Sequence, residues 1–208
     1  MESNRRTIAL GLAAAGLAAP AFARPAFAQV DLAAPPERRE EAPPPAQGAY
    51  TEEEIINSTS RFFGMGAETV AAVVRRIFRD LGRPVGFVEG SEGSAAIGVG
   101  LRYGEGRLYL NRAPQTTKVF WRGPSVGFDT GANAAKCFTL VYGVTHASEL
   151  FQRFPGVEGS AYFIGGIGVN YQRADEITLA PMRAGVGFRL GANIGYLAYS
   201  RQRRFLPF

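Results

Sequence analysis

The sequence is poor in the residues that most often carry chemistry. It holds one cysteine, Cys137, and one histidine, His146. A single cysteine excludes an internal disulfide, and with one of each no His-rich zinc set can form within the chain. No Gly-x-Ser-x-Gly elbow is present, so a hydrolase nucleophile of that kind is missing. Lysine is scarce too, with only Lys118 and Lys136. The formal net charge of +5 rests on scattered arginines, without the long basic run of a nucleic-acid footprint. No cofactor and no metal is implied.

What is present begins with a three-part N-terminus. Arg5 and Arg6 precede an apolar run from Ile8 to Ala19, and two small-x-small sites follow at Ala21-Phe22-Ala23 and Ala26-Phe27-Ala28. This is the layout of a cleaved secretory signal. The apolar run is shorter than the about 20 residues that span a bilayer. Residues 1–28 therefore read as a signal peptide cut after Ala28, with no transmembrane segment in the mature chain. The Arg5-Arg6 pair leaves the Sec and Tat routes both open. The expected destination is the periplasm of a bacterial-type envelope.

Residues 29–49 combine Pro35, Pro36, Pro43, Pro44 and Pro45 with charged residues and almost no large apolar ones. Such a segment cannot bury enough surface to order itself, so it reads as a disordered Pro/Glu-rich tether. The folded domain is placed at 50–208. Thr51 with Glu54 forms a capping-box pattern, and Ile55, Thr59, Phe62 and Phe63 then fall at helical spacing. A second helix follows, with Val70, Val73, Val74, Ile77 and Leu81 on one face, ended by Gly82 and Pro84. Its apolar stripe predicts packing on a sheet rather than on a membrane.

From Pro84 onward the period is two. Alternation runs through 94–103, 161–171 and 184–196, and shorter strands fit 85–89, 106–111, 117–122, 137–143 and 175–181. Gly104-Glu105-Gly106 is expected to be a hairpin turn, and a short helix is expected at 146–153. Cys137, inside an apolar run, reads as a buried structural thiol. The fold class is mainly β: a small antiparallel barrel of about eight to ten strands with two N-terminal helices. The many glycines suit the bends that closing a sheet requires. A sandwich is the alternative architecture.

The glycine strings do not make a nucleotide site. Gly165-Gly166-Ile167-Gly168 and Gly185-Val186-Gly187 are followed by continued alternation, where a dinucleotide fingerprint needs a helix. His146 lies next to Ala147-Ser148-Glu149 and reads as a helix cap. Distant carboxylates such as Glu89 and Asp129 leave a glycan or lipid hydrolase open as an alternative. A small outer-membrane barrel ending in Phe208 is a second alternative, weakened by Pro207, which disfavours a ladder position. The segment Lys118 to Asp129 holds the only tryptophan, with aromatics and charges around a Gly123-Pro124 turn. Trp and Arg are enriched where proteins bind, while a Trp that is simply core fits the pattern as well. Trp121, Arg122, Phe128, Arg102 and Tyr103 are the candidate ligand- or partner-binding residues. No catalytic residue is assigned.

Several strings form a collinear set: Arg61-Phe62-Phe63-Gly64, Gly100-Leu101-Arg102-Tyr103-Gly104-Glu105-Gly106, Val119-Phe120-Trp121-Arg122-Gly123-Pro124-Ser125, and Arg189-Leu190-Gly191-Ala192-Asn193-Ile194-Gly195-Tyr196-Leu197. With these the chain, over roughly 50–208, resembles the envelope integrity protein A family of alphaproteobacteria, long listed as a domain of unknown function. The resemblance implies a soluble periplasmic β-barrel and a role in resistance to envelope stress. It implies links to lipopolysaccharide and surface integrity, with an envelope lipid, a lipopolysaccharide-related molecule or a protein as partner. It carries no catalytic residues. The reading is of a non-catalytic protein that supports envelope integrity by binding an amphiphile or a partner protein.

Overall fold

Two helices open the domain, and each starts and stops where local chemistry dictates. In the computed structural model, which describes residues 48–97, 99–126, 133–184 and 195–204, helix α1 spans Glu52–Phe63 and α2 spans Ala67–Leu81. Thr51 caps α1: its Oγ1 accepts from the Glu54 amide at 3.2 Å, and the Glu54 carboxylate accepts from the Thr51 amide at 2.7 Å. This satisfies N-terminal donors that helix geometry leaves open. The left-handed Gly64, with φ of 70°, ends α1, and Gly82 ends α2. Val70, Val73, Val74 and Ile77 of α2 are buried, as the helical spacing predicts. No helix among the described residues is long and apolar enough to cross a membrane.

Ten strands follow: β1 (Gly86–Ile97), β2 (Val99–Leu110), β3 (Thr117–Val126), β4 (Asn133–Tyr142), β5 (Arg153–Pro155), β6 (Tyr162–Ile164), β7 (Ile167–Val169), β8 (Gln172–Ala174), β9 (Ile177–Ala184) and β10 (Tyr196–Ser200). All described pairings are antiparallel, in the order β5-β10-β3-β2-β1-β4-β9-β7-β6, with β8 also paired to β9. An isolated bridge between Gly156 and Gln172 joins the end of β5 to β8, and the Val157 amide donates to the Tyr171 carbonyl at 2.8 Å. The ring β4-β1-β2-β3-β10-β5-β8-β9 is thereby completed, with β6 and β7 as a side flap. The described residues all lie in one compact unit, Glu41–Phe208.

Alternation along each strand sorts side chains to the two sides of this wall. The inner side gathers Val88, Leu108, Val119, Trp121, Leu179 and Leu197, so the barrel centre is filled. Leu150 and Phe154 close one end of this cluster, both fully buried. The outer side of β1, β4 and β9 presents Phe87, Phe138, Leu140, Ala180 and Met182 to the two helices. Phe87 stacks between Tyr109 and Phe138, with centroid separations of 4.9 Å on both sides. Each large apolar side chain buried in this way contributes about 1.5–3 kcal/mol. Cys137 is buried in the inner cluster, and burial pushes its thiol up to about 11.

The strand boundaries correct several expectations. The alternating run 94–103 is a hairpin: β1 ends at Ile97, which pairs with Val99 at the start of β2. Gly104-Glu105-Gly106 is mid-strand. Its glycines answer to packing, because a Cβ on Gly104 would overlap the Trp121 indole and one on Gly106 would overlap the Glu89 carbonyl. The run 161–171 is also a hairpin, turning at Gly165 and Gly166 with φ of 56° and 88°, as tight antiparallel turns require. Gly123-Pro124 lies inside β3 rather than in a turn. The β10 ladder covers only Phe120, Trp121 and Arg122, so Pro124 sits beyond it, where no donor is asked of it. The expected helix at 146–153 is a single 3₁₀ turn, Ala147–Leu150. Glu149 caps it by accepting from the amides of Thr145 and His146, and His146 Nδ1 lies 3.2 Å from Glu149 Oε1. The signal peptide, the tether through residue 47, most of the run 184–196, Asp129 and Phe208 lie outside the described residues.

Candidate functional site

The wall formed by β1, β2 and β3 carries all the described site candidates, and its pleat divides them. Arg102 and Trp121 point inward, while Tyr103 and Arg122, their neighbours in sequence, point outward and face each other across the ladder. Phe128 lies outside the described residues. Of the four described candidates, Tyr103, Trp121 and Arg122 line one groove, and Arg102 lies on the inner side of the wall.

On the inner side, Glu92 of β1 is the hub of a charged cluster. Arg183 Nε donates to Glu92 Oε1 at 2.6 Å, Arg102 Nη1 lies 3.4 Å from the same oxygen, and Trp121 Nε1 donates to Oε2 at 3.1 Å. Arg183 is fully buried and Glu92 and Arg102 nearly so. Burial alone would push the Glu92 carboxyl up. The charges of Arg183 and Arg102 and the donors from Trp121 and Arg183 outweigh it and hold the carboxyl below its ordinary value. Trp121 lies over Gly90 and Gly104, where any side chain would collide with it, and Tyr199 packs beside it at 5.7 Å between centroids. Glu92 is thus held inside the wall by Arg183, Arg102 and Trp121.

On the outer side, the same strands floor a groove of about 430 Å³ whose lining includes Ser91, Tyr103, Phe120, Arg122, Ser200 and Arg203. The segment after β10 crosses it, with Arg203 Nη2 donating to Glu105 Oε2 at 2.7 Å and the Lys118 ammonium 3.8 Å from that oxygen. These contacts, Arg203 first, hold the Glu105 carboxyl low. The Phe120 ring lies beneath the cations of Lys118 and Arg203, at 5.0 and 5.8 Å from its centroid. Arg122 is 7% exposed, and its Nε has no hydrogen-bond partner.

Sequence reasoning missed Glu92, Arg183 and Arg203. Glu92 fell beyond the strand expected at 85–89. Arg183 was legible as a lone charge in the apolar stretch Ala180 to Ala184, which is the mark of a paired buried ion. Arg203, in the arginine-rich string Arg201-Gln202-Arg203-Arg204, reads in sequence as a solvated chain end. Glu89, one half of the distant carboxylate pair considered for hydrolysis, lies on the side of the wall that carries Phe87. Burial raises its carboxyl, and Arg61 of α1 partly offsets this. Among the described residues, no group of three or more His, Cys, Asp or Glu is arranged to hold a metal ion.

Comparison with known proteins agrees with this architecture. The model of the family described as Envelope integrity protein A matches residues 48–208. A crystal structure of a beta-barrel-like, uncharacterized protein from Brucella abortus superposes with a TM-score of 0.69 at 42% sequence identity, covering 77% of this chain and 99% of that one. No curated protein matches the chain.

Proposed function

From the premise that the chain belongs to the envelope integrity protein A family, we propose that it is a non-catalytic periplasmic protein that supports envelope integrity and resistance to envelope stress. It does so by binding an amphiphile or a partner protein on its outer surface. The observation that carries this reading is the filled barrel. Trp121, Leu108, Val119 and Leu179 occupy the centre, and the cluster of Glu92, Arg102 and Arg183 occupies the polar level of the interior. A ligand pocket is ordinarily an open concavity, and the outer groove beside Arg122 and Phe120 is one. Export rests on the signal pattern of residues 1–28.

Two features support binding over the alternatives. The carboxylates nearest the groove are engaged, Glu92 by arginines inside the wall and Glu105 by Arg203 and Lys118. A glycan or lipid hydrolase needs two carboxylates free to share a substrate. An outer-membrane barrel presents an apolar outside to lipid and a polar inside. Here most of the inside is apolar around one charged cluster, and two helices cover part of the outside.

The test is genetic. Cells lacking the gene should lose survival under detergent or a cell-wall antibiotic, and the intact gene should restore it. Unchanged survival would sink the envelope role. Fractionation of cells expressing the chain should find a shortened form in the periplasmic fraction, and full-length protein confined to the cytoplasm would refute export.

A further inference from the structure

Arg122 poses an energetic problem that the rest of the wall does not. A guanidinium taken out of water without a counter-charge costs several kcal/mol. Arg183 and Arg102 meet that cost through Glu92. Arg122 is buried to a similar degree, yet among the described residues no carboxylate lies within ion-pair distance of it. It lines the groove of about 430 Å³. Of the acids that line it, Glu105 is bound by Arg203 and Lys118 and Glu92 by Arg183 and Arg102. Arg204 also lines the groove. Ser91, Ser200 and Phe120 also line it, the Ser200 hydroxyl donating to the Gln202 carbonyl at 2.8 Å. An arginine without a counter-ion at a groove is equipped to clasp a phosphate or carboxylate through two parallel N–H···O bonds, and the aromatic side chain of Phe120 suits the methylenes that follow such a headgroup.

We propose that this groove binds the anionic headgroup of an amphiphile, with Arg122 as its principal contact and Phe120 under the start of the chain. This rests on the reading of the outer surface as a binding surface and names the class of ligand. The probe is dodecyl phosphate below its micellar concentration, titrated into the purified full chain by calorimetry. Binding should weaken about tenfold or more in Arg122→Gln, through loss of the charge-assisted pair, and should fall as salt rises. Phe120→Ala should weaken it about threefold to tenfold by removing apolar contact. Dodecyl maltoside, of equal chain and neutral head, should bind at least tenfold more weakly.

Equal binding of the maltoside would overturn the proposal, as would unchanged affinity in Arg122→Gln. Inorganic phosphate binding as tightly as dodecyl phosphate would also overturn it, because the site would then take a free anion. If Arg122→Gln fails to fold by circular dichroism, Arg203→Gln and Phe120→Ala decide, and unchanged affinity in both refutes the groove. Survival of the deletion strain is read separately, so the groove can fail while the envelope role stands.

Discussion

Arg102 and Arg122 sit on adjacent strands of the same wall, both almost fully buried, and they teach opposite lessons. Arg102 faces inward, where Glu92 takes its charge together with that of Arg183. Arg122 faces outward into a groove, where no carboxylate among the described residues pairs with it. A buried cation with its counter-ion is part of the scaffold. A buried cation without one, at the edge of a concavity, is held ready for something that arrives from outside. Burial and residue type are the same in both cases, and only the partner tells them apart.

The sharpest way to break the comparison is to remove the inner partner. Glu92→Ala strands two buried guanidiniums and should cost about 3–5 kcal/mol, read as a fall in urea midpoint at pH 7. If Glu92→Ala unfolds no more easily than the parent, the inner cluster is not scaffold. Next in size is Gly104→Ala, which drives a methyl group into the indole of Trp121. It should cost about 1–3 kcal/mol by overpacking and alter the tryptophan fluorescence, whereas the outward Glu105→Ala should leave that fluorescence unchanged.

Acid gives a third contrast. The Glu92 carboxyl titrates below its ordinary value of 4.5 in the folded chain, so its stabilisation is present above that value and is lost as pH falls through the lower folded one. Melting temperature should therefore drop more steeply below about pH 4 in the parent than in Glu92→Gln, which has nothing to protonate. Parallel pH profiles would contradict the ionised cluster. The smallest effect is expected outside: Arg122→Met should change folding stability by about 1 kcal/mol or less, with stabilisation the expected direction, because it removes an unpaired buried charge. A loss as large as that of Glu92→Ala would show that Arg122 is structural after all.

Sequence made much of this legible. The capping box at Thr51 and Glu54, the apolar stripe of α2 and the barrel class follow from local spacing and glycine content, which are properties of neighbouring residues. Gly104 and Gly165 show where local reading stops. Gly104 is expected in a turn and Gly165 in an alternating run, yet Gly104 makes room mid-strand for an indole from the next strand and Gly165 turns the chain with a positive φ. The difference is set by a cross-strand neighbour in one case and by backbone angle in the other, and neither is written in the adjacent residues. Trp121 fits both a core and a surface reading in sequence, and the pleat turns its ring into the inner cluster while the residue also lines the groove. Arg102 with Tyr103, and Trp121 with Arg122, were grouped because they are adjacent in sequence, and adjacency along a strand means opposite faces. Glu92 and Arg183 come together through the barrel's curvature, which no one-dimensional pattern records.

Completion of the ring is an event in time as well as a geometry. β1 pairs with β2 and β2 with β3, so this meander can zip up as soon as it exists. The outer edge of β3 must wait for β10, the strand that also holds β5. Until Tyr196–Ser200 arrives, a growing chain is an open ribbon with a free edge, and non-local closure of this kind is slow. Trp121 gains its Tyr199 neighbour only at that moment. The last described strand thus acts as a keystone, and the barrel cannot be finished by any shorter version of itself.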